Sequence, residues 1–243
     1  MASSIDGGAL QGRTVLITGA SRGIGLETAR RARAAGAAVV MVARGEAALR
    51  AAAEEVGGHA VPADVSDPRA VQRLVGQLQD VLGGPAPDVL VNGAGVFRLA
   101  PLAETEPEDF DRHLAVNLRG PFLLIRALLP AMLARGSGHI VTVGSVAGRL
   151  AFPHNGAYSA SKFGVRGLHA VLDAELRGTG VRATLIEPAA TATGIWDAID
   201  RERHPDLPPR DRMLDPGAVA DVIIYAITRP PEVDVRVIAL DRT

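Results

Sequence analysis

The chain has no cysteine among its 243 residues, which excludes disulfides, thiol nucleophiles and thiolate metal sites. Aromatic side chains are scarce, at 3%, and only one of them is a tryptophan, Trp196. Neither sign of charge is in excess. The 26 basic and 27 acidic residues leave a formal net charge of −1, so nothing points to nucleic acid or an anionic membrane. Long apolar runs are missing as well. Even PFLLIRALLPAML (121–133) is interrupted by Arg126 and Pro130, and no stretch nears the ~20 residues of a bilayer span. The opening MASSIDGGALQG lacks a basic start followed by an apolar run, so no signal peptide is expected. A cytoplasmic protein is therefore the expectation, with no metal, nucleic acid or membrane as partner.

What is present is a core. With 47% apolar and 22% charged residues the chain can bury a substantial interior and is not disordered. Residues 13–18 (RTVLIT) form a β-branched run, read as a buried strand, and Gly19, Ala20, Ser21, Arg22, Gly23, Ile24 and Gly25 follow it. A helical pattern then runs over 25–35 and closes at Gly36. In that context small residues let the backbone approach a pyrophosphate, and the helix start offers free N–H groups. A second strand at 37–43 ends on Arg44, where an NAD site would carry a carboxylate for the ribose. Arg22 and Arg44 together suit a 2′-phosphate, which points to NADP (NADPH).

Further strands are expected at 59–63, 88–91, 139–143, 181–186 and 233–240. Helices should fill the gaps, one of them with Ser66 as N-cap and one opened by a Thr105–Glu108 capping box and running to about Arg135. Asn117 falls inside that long helix at a cost in propensity, which calls for either a kink or a role at a site. The last helix is read at 218–228. Strand and helix alternate throughout, so the fold class is α/β: one doubly wound parallel sheet of about seven strands, helices on both faces. No repeat or linker divides the chain, so 1–243 is expected to be a single dinucleotide-binding domain. The polar, proline-broken stretch at about 190–215 reads as a lid before the last helix.

The chemistry concentrates in 144–162, GSVAGRLAFPHNGAYSASK. Tyr158 and Lys162 are four residues apart and share a helix face, and Ser145 lies just past the strand at 139–143. A phenol with a reference pKa near 10 transfers protons poorly at neutral pH. A neighbouring ammonium is expected to lower that pKa, while the serine hydroxyl holds a substrate oxygen.

Taken in order, Thr18 through Gly25, Asp64-Val65, Asn92-Gly93-Ala94-Gly95, Asn117, Ser145, Tyr158-x-x-x-Lys162 and Pro188 through Thr193 resemble the short-chain dehydrogenase/reductase family over essentially the whole length. The resemblance implies that Asn117, Ser145, Tyr158 and Lys162 are catalytic, with Asn117 holding a water in a proton relay through Lys162. It further implies that Asp64 and Val65 hold the adenine and that Asn92 braces the sheet beneath the cofactor. Ala94, Gly95, Pro188, Thr191 and Thr193 would border the cofactor, and Lys162 would also bind its nicotinamide ribose. Two positions depart from the family pattern: Gly93, where an asparagine is usual, and Ala189, where a glycine is usual. The implied function is an NADP(H)-dependent oxidoreductase interconverting a ketone or aldehyde and its alcohol, as a homodimer or homotetramer. Phe97, Leu99, Leu150, Phe152, His154, Ile195 and Trp196 would line the substrate side and favour an apolar compound. A 3-oxoacyl carrier-protein reductase, or a silent NADP-binding sensor, stays open as an alternative.

Overall fold

A computed structural model describes residues 8–204 and 206–243. Along the chain run β1 (Thr14–Thr18), α1 (Gly23–Ala34), β2 (Ala38–Ala43), α2 (Glu46–Val56), β3 (His59–Pro62), α3 (Pro68–Leu82) and β4 (Val89–Asn92). Then come α4 (Pro107–His113), a π-helical segment (Leu114–Arg119), α5 (Gly120–Arg135), β5 (Gly138–Val143), α6 (Gly156–Glu175), β6 (Val181–Pro188), α7 (Pro216–Ile227) and β7 (Val237–Leu240). The strands form one parallel sheet in the order β3-β2-β1-β4-β5-β6-β7. It is the doubly wound sheet expected from the alternation of elements. The order reverses between β1 and β4, and a crevice opens there at the carboxyl ends of the strands.

Both faces of the sheet are covered because the middle positions of its central strands are mostly apolar on both sides. Val15, Ile17, Val39 and Met41 join Ala29, Leu49 and Ile223 of α1, α2 and α7 in one buried layer. Leu16, Val40 and Val42 join Leu74, Leu128 and Leu172 of α3, α5 and α6 in the other. Successive strand side chains point to opposite faces, so one run of valines and leucines serves two layers.

Several local expectations are corrected. Asp67, not Ser66, caps α3: its carboxylate accepts from the Arg69 N–H at 2.9 Å, and the Ser66 hydroxyl instead donates to Asp64 at 2.6 Å. The Thr105–Glu108 capping box does not form. Pro107 takes the first helical position, which shifts the register by one, and the Thr105 hydroxyl turns back to the Pro101 carbonyl. The final strand is shorter than 233–240, because the Arg182 guanidinium and the Thr184 hydroxyl take the carbonyls of Val233 and Val235. The continuous helix Pro107–Arg135 is long enough and apolar enough by composition to cross a membrane, which counting uninterrupted apolar residues had not anticipated. Its Leu124, Leu128 and Met132 are buried against the sheet, the position of a core helix. The signal-peptide reading rests largely on residues 1–7, outside the described residues.

Candidate active site

A cleft of about 1120 Å³ opens over the carboxyl ends of the strands. Its first wall is the turn between β1 and α1. Gly19 has φ +69°, and a Cβ there would lie 2.7 Å from the Gly93 carbonyl oxygen. A Cβ on Gly25 would lie 2.4 Å from the Gly19 carbonyl oxygen. Only a backbone without side chains packs this way. Gly93 belongs to the same contact, since its own Cβ would fall 2.8 Å from the Thr18 carbonyl oxygen. The Thr18 hydroxyl fastens the junction by accepting from the Gly93 and Ala94 N–H groups at 3.1 and 3.2 Å.

α1 starts at Gly23 without a side-chain cap, which leaves its first N–H groups free to meet an anion. Arg22 and Arg44 are exposed on the cleft, and neither forms an ion pair among the described residues. Asp64 and Val65 line the same end. Burial pushes the Asp64 carboxyl up, but the Ser66 hydroxyl and N–H outweigh it and hold the group below its ordinary range, helped by Arg44 and Arg112. A side-chain-free cradle, a bare helix start and two unpaired guanidinium groups fit a phosphorylated dinucleotide. Ser21 and Ile24 also line this wall, as do Ala94 and Gly95 opposite. Asn92 does not reach the cleft. It is buried behind the wall, with Nδ2 3.5 Å from the Thr142 hydroxyl.

The centre of the cleft carries Ser145, Tyr158 and Lys162. β5 ends at Val143, and Ser145 caps the 3₁₀ turn that follows by accepting from the Ala147 N–H at 3.1 Å. A Cβ on Gly148 would lie 2.8 Å from the Lys162 carbonyl oxygen, so this turn can close on α6 only as glycine. That contact brings the serine beside the tyrosine. The Lys162 ammonium donates to the Val143 carbonyl at 2.8 Å and lies 5.6 Å from the centre of the Tyr158 ring. Burial pushes the phenol of Tyr158 up to about 12, with the Ser145 hydroxyl pulling the other way. Burial also brings Lys162 down to about 8. The expected lowering of the phenol by its lysine is thus overturned: in this low-dielectric spot the cost of a bare phenolate outweighs an ammonium turned toward a backbone carbonyl.

Asn117 sits in the π-helical segment and is fully enclosed. Its Oδ1 accepts from the Val96 N–H at 2.8 Å, while Nδ2 donates to the Val96 carbonyl and the Ser161 hydroxyl, each at 3.0 Å. The asparagine therefore ties the chain after β4 to α6, and does not itself line the cleft. The substrate end is apolar, built from Phe97, Leu99, Leu150, Phe152, Ile195 and Trp196. The Phe97 ring lies edge-on to both Tyr158 and Trp196, each at 4.8 Å between centres. Pro188, Thr191 and Thr193 line the cleft below the lid, whose Leu207 and Pro208 also reach it. His154 stays outside, exposed, with a φ of 63°, and its Nδ1 lies 3.3 Å from Nδ1 of His204. Sequence reasoning missed His113, which is buried against the Tyr158 ring. Its one signal was the i, i+4 spacing to Asn117.

The profile described as short chain dehydrogenase matches residues 13–204. The chain belongs to the short-chain dehydrogenase family. A short chain dehydrogenase of Pseudocercospora fijiensis is 40% identical over 219 residues, 85% of this chain and 70% of that one. The D-threitol dehydrogenase of Mycolicibacterium smegmatis is 36% identical over 225 residues, 89% of this chain and 86% of that one. A metagenomic short-chain oxidoreductase solved in complex with NADP has a TM-score of 0.81 and 34% identity, covering 97% of this chain and 99% of its own. As a short-chain dehydrogenase the protein is an oxidoreductase acting on alcohol or carbonyl groups of small molecules with a nicotinamide dinucleotide.

Proposed function

We propose that the chain reduces an apolar ketone or aldehyde to its alcohol with NADPH, Tyr158 supplying the proton. The observation that carries this reading is a phenol held in its protonated form beside Ser145, at the apolar end of a cleft whose far end bears Arg22 and Arg44. When bound, a reduced nicotinamide would supply the hydride for the carbonyl carbon. Arg22, Arg44 and the N–H groups of α1 would hold the cofactor's phosphates, and Ser145 Oγ would donate to the carbonyl oxygen. As charge develops on that oxygen, Tyr158 Oη gives it a proton. The phenolate left behind is stabilised by the Lys162 ammonium, still largely protonated at neutral pH with its pKa near 8. Phe97, Trp196 and Leu150 exclude water from the exchange. Alcohol oxidation uses the same groups in reverse, with Tyr158 Oη taking the proton back.

The test is NADPH and NADH absorbance with a panel of aliphatic and aromatic carbonyl compounds, in wild type and Tyr158→Phe. NADPH should support turnover of the bulkier apolar compounds. Tyr158→Phe should keep cofactor binding and lose about a hundred- to ten-thousandfold in kcat. A preference for NADH, or near-normal turnover in Tyr158→Phe, overturns the reading.

A further inference from the structure

Phe97 touches two rings of the cleft but is held by neither. What holds it is the backbone on either side. Val96 is gripped at N–H and C=O by the Asn117 amide. Arg98 is gripped at its N–H by His113 Nε2, 3.1 Å away, and at its guanidinium by the Asp109 carboxylate at 2.7 Å. The two side chains that grip the backbone, His113 and Asn117, lie four residues apart, at the point where α4 passes into the π-helical segment. The His113 ring, 2% exposed, also stands edge-on to Tyr158, with ring centres 6.3 Å apart.

The hydrogen bonds fix the state of that imidazole. A carbonyl oxygen only accepts, so Nδ1, 2.6 Å from the Asp109 carbonyl oxygen, carries the hydrogen. A backbone N–H only donates, so Nε2, facing Arg98, offers its lone pair. The ring is therefore the neutral Nδ1–H tautomer, and a second proton would fall on the one nitrogen that holds Arg98.

We infer that His113 is a positioning residue: its neutral Nε2 clamps the Arg98 backbone, and through Phe97 and direct ring contact it sets the Tyr158 phenol and the Trp196 wall of the substrate end. The inference rests on the proposed reaction only for its kinetic effect; the clamp itself is independent of which group donates the proton. The charged and titratable groups facing His113 are Asp109 and Arg112 on its own helix, Arg98 from the segment after β4, and Tyr158 from α6. Burial holds its pKa below the ordinary histidine value, the Asp109 carbonyl and carboxylate opposing and Arg112 and Arg98 adding to the shift. Protonation therefore occurs only at acid pH, and it releases the Arg98 N–H.

The experiment compares wild type with His113→Gln, whose amide oxygen can replace Nε2 as acceptor, and with His113→Asn and His113→Leu, which leave the Arg98 N–H unheld while its guanidinium stays on Asp109. Readouts are kcat and KM against pH, and the emission of Trp196, the sole tryptophan. The Leu and Asn variants should lose about ten- to a hundredfold in kcat, the scale of a misplaced reacting group. Their KM for NADPH should stay unchanged and their Trp196 emission should shift. Gln should restore kcat to within about threefold, and its emission should lack the acid transition shown by wild type. Wild-type kcat and emission in Leu or Asn overturn the inference, as does Gln falling as low as Asn. If Leu does not fold, the Gln–Asn pair decides. Should no carbonyl compound be turned over, the emission titration still tests the clamp, so its failure and that of the proposed reaction are told apart.

Discussion

At the residue scale the proposed preference for NADPH is tested at Arg44. It ends β2 where a carboxylate would favour a free ribose, it is exposed on the cleft, and no described acidic side chain claims its guanidinium. A charge-assisted contact contributes about 1.5–3 kcal/mol. Arg44→Asp should therefore weaken NADPH about ten- to a hundredfold, while NADH, offered a ribose acceptor, binds more tightly. Fluorescence titration of both cofactors checks this. Equal losses for the two would mean that Arg44 serves the pyrophosphate or the fold and not the 2′-phosphate. Tyr158, Lys162 and Ser145 were legible at this scale from i, i+4 spacing and a strand end. Their electrostatics were not, because the cost of burial depends on what the assembled cleft places around the phenol, Phe97 and His113 among it.

At the element scale two features organise the substrate end. The π-helical segment resolves the cost of Asn117: the widened turn spends the side-chain amide on Val96 and Ser161, joining the segment after β4 to α6. The segment between β6 and α7, expected to be a lid, is pinned at its base, where Thr191 pairs with Leu214. Just beyond, Trp196 donates from its indole N–H to the Thr191 carbonyl at 2.9 Å and lays its ring against Phe97. An aromatic pair of this kind adds about 0.5–1.5 kcal/mol beyond its buried area. The ring is a wall of the cleft. NADPH binding should accordingly quench its emission with energy transfer to the reduced nicotinamide. Trp196→Ala should raise KM for bulky aromatic ketones far more than for small ones. Unchanged emission at saturating NADPH, together with an unaltered KM profile, would remove Trp196 from the site.

At the scale of the whole molecule, buried histidines lower stability in acid. His139 lies on β5 inside the sheet, 2% exposed, and its Nε2 meets the Thr184 hydroxyl at 2.8 Å. Burial, with Arg182 and Arg13 adding to it, brings its pKa down to about 3, against roughly 6.5 in an unfolded chain. Above pH 6.5 the ring is neutral in both states and its contribution is whole. Below 6.5 the unfolded chain takes up a proton that the fold refuses, so stability falls toward pH 3 by up to about 1.4 kcal/mol per unit. His113 and His169, also lowered by burial, add to that slope. Urea midpoints between pH 7.5 and 4.5 should drop in wild type and drop less steeply in His139→Gln. Parallel slopes would show that His139 does not carry the acid sensitivity.

The sequence by itself determined the alternation of strand and helix, the glycine turn after β1, the tyrosine–lysine pair and the pair of arginines. Each is a matter of periodicity or of neighbours within a few residues, and the chain carries that information locally. Only the tertiary structure decided which strand lies beside which, that Gly93 seats against Thr18, and that His113 reaches Arg98 and Tyr158. Those contacts join positions 15 to 75 residues apart, and no local propensity encodes them. The tertiary structure also set the direction of the Tyr158 shift, since desolvation is a property of the assembled cleft and not of the residue.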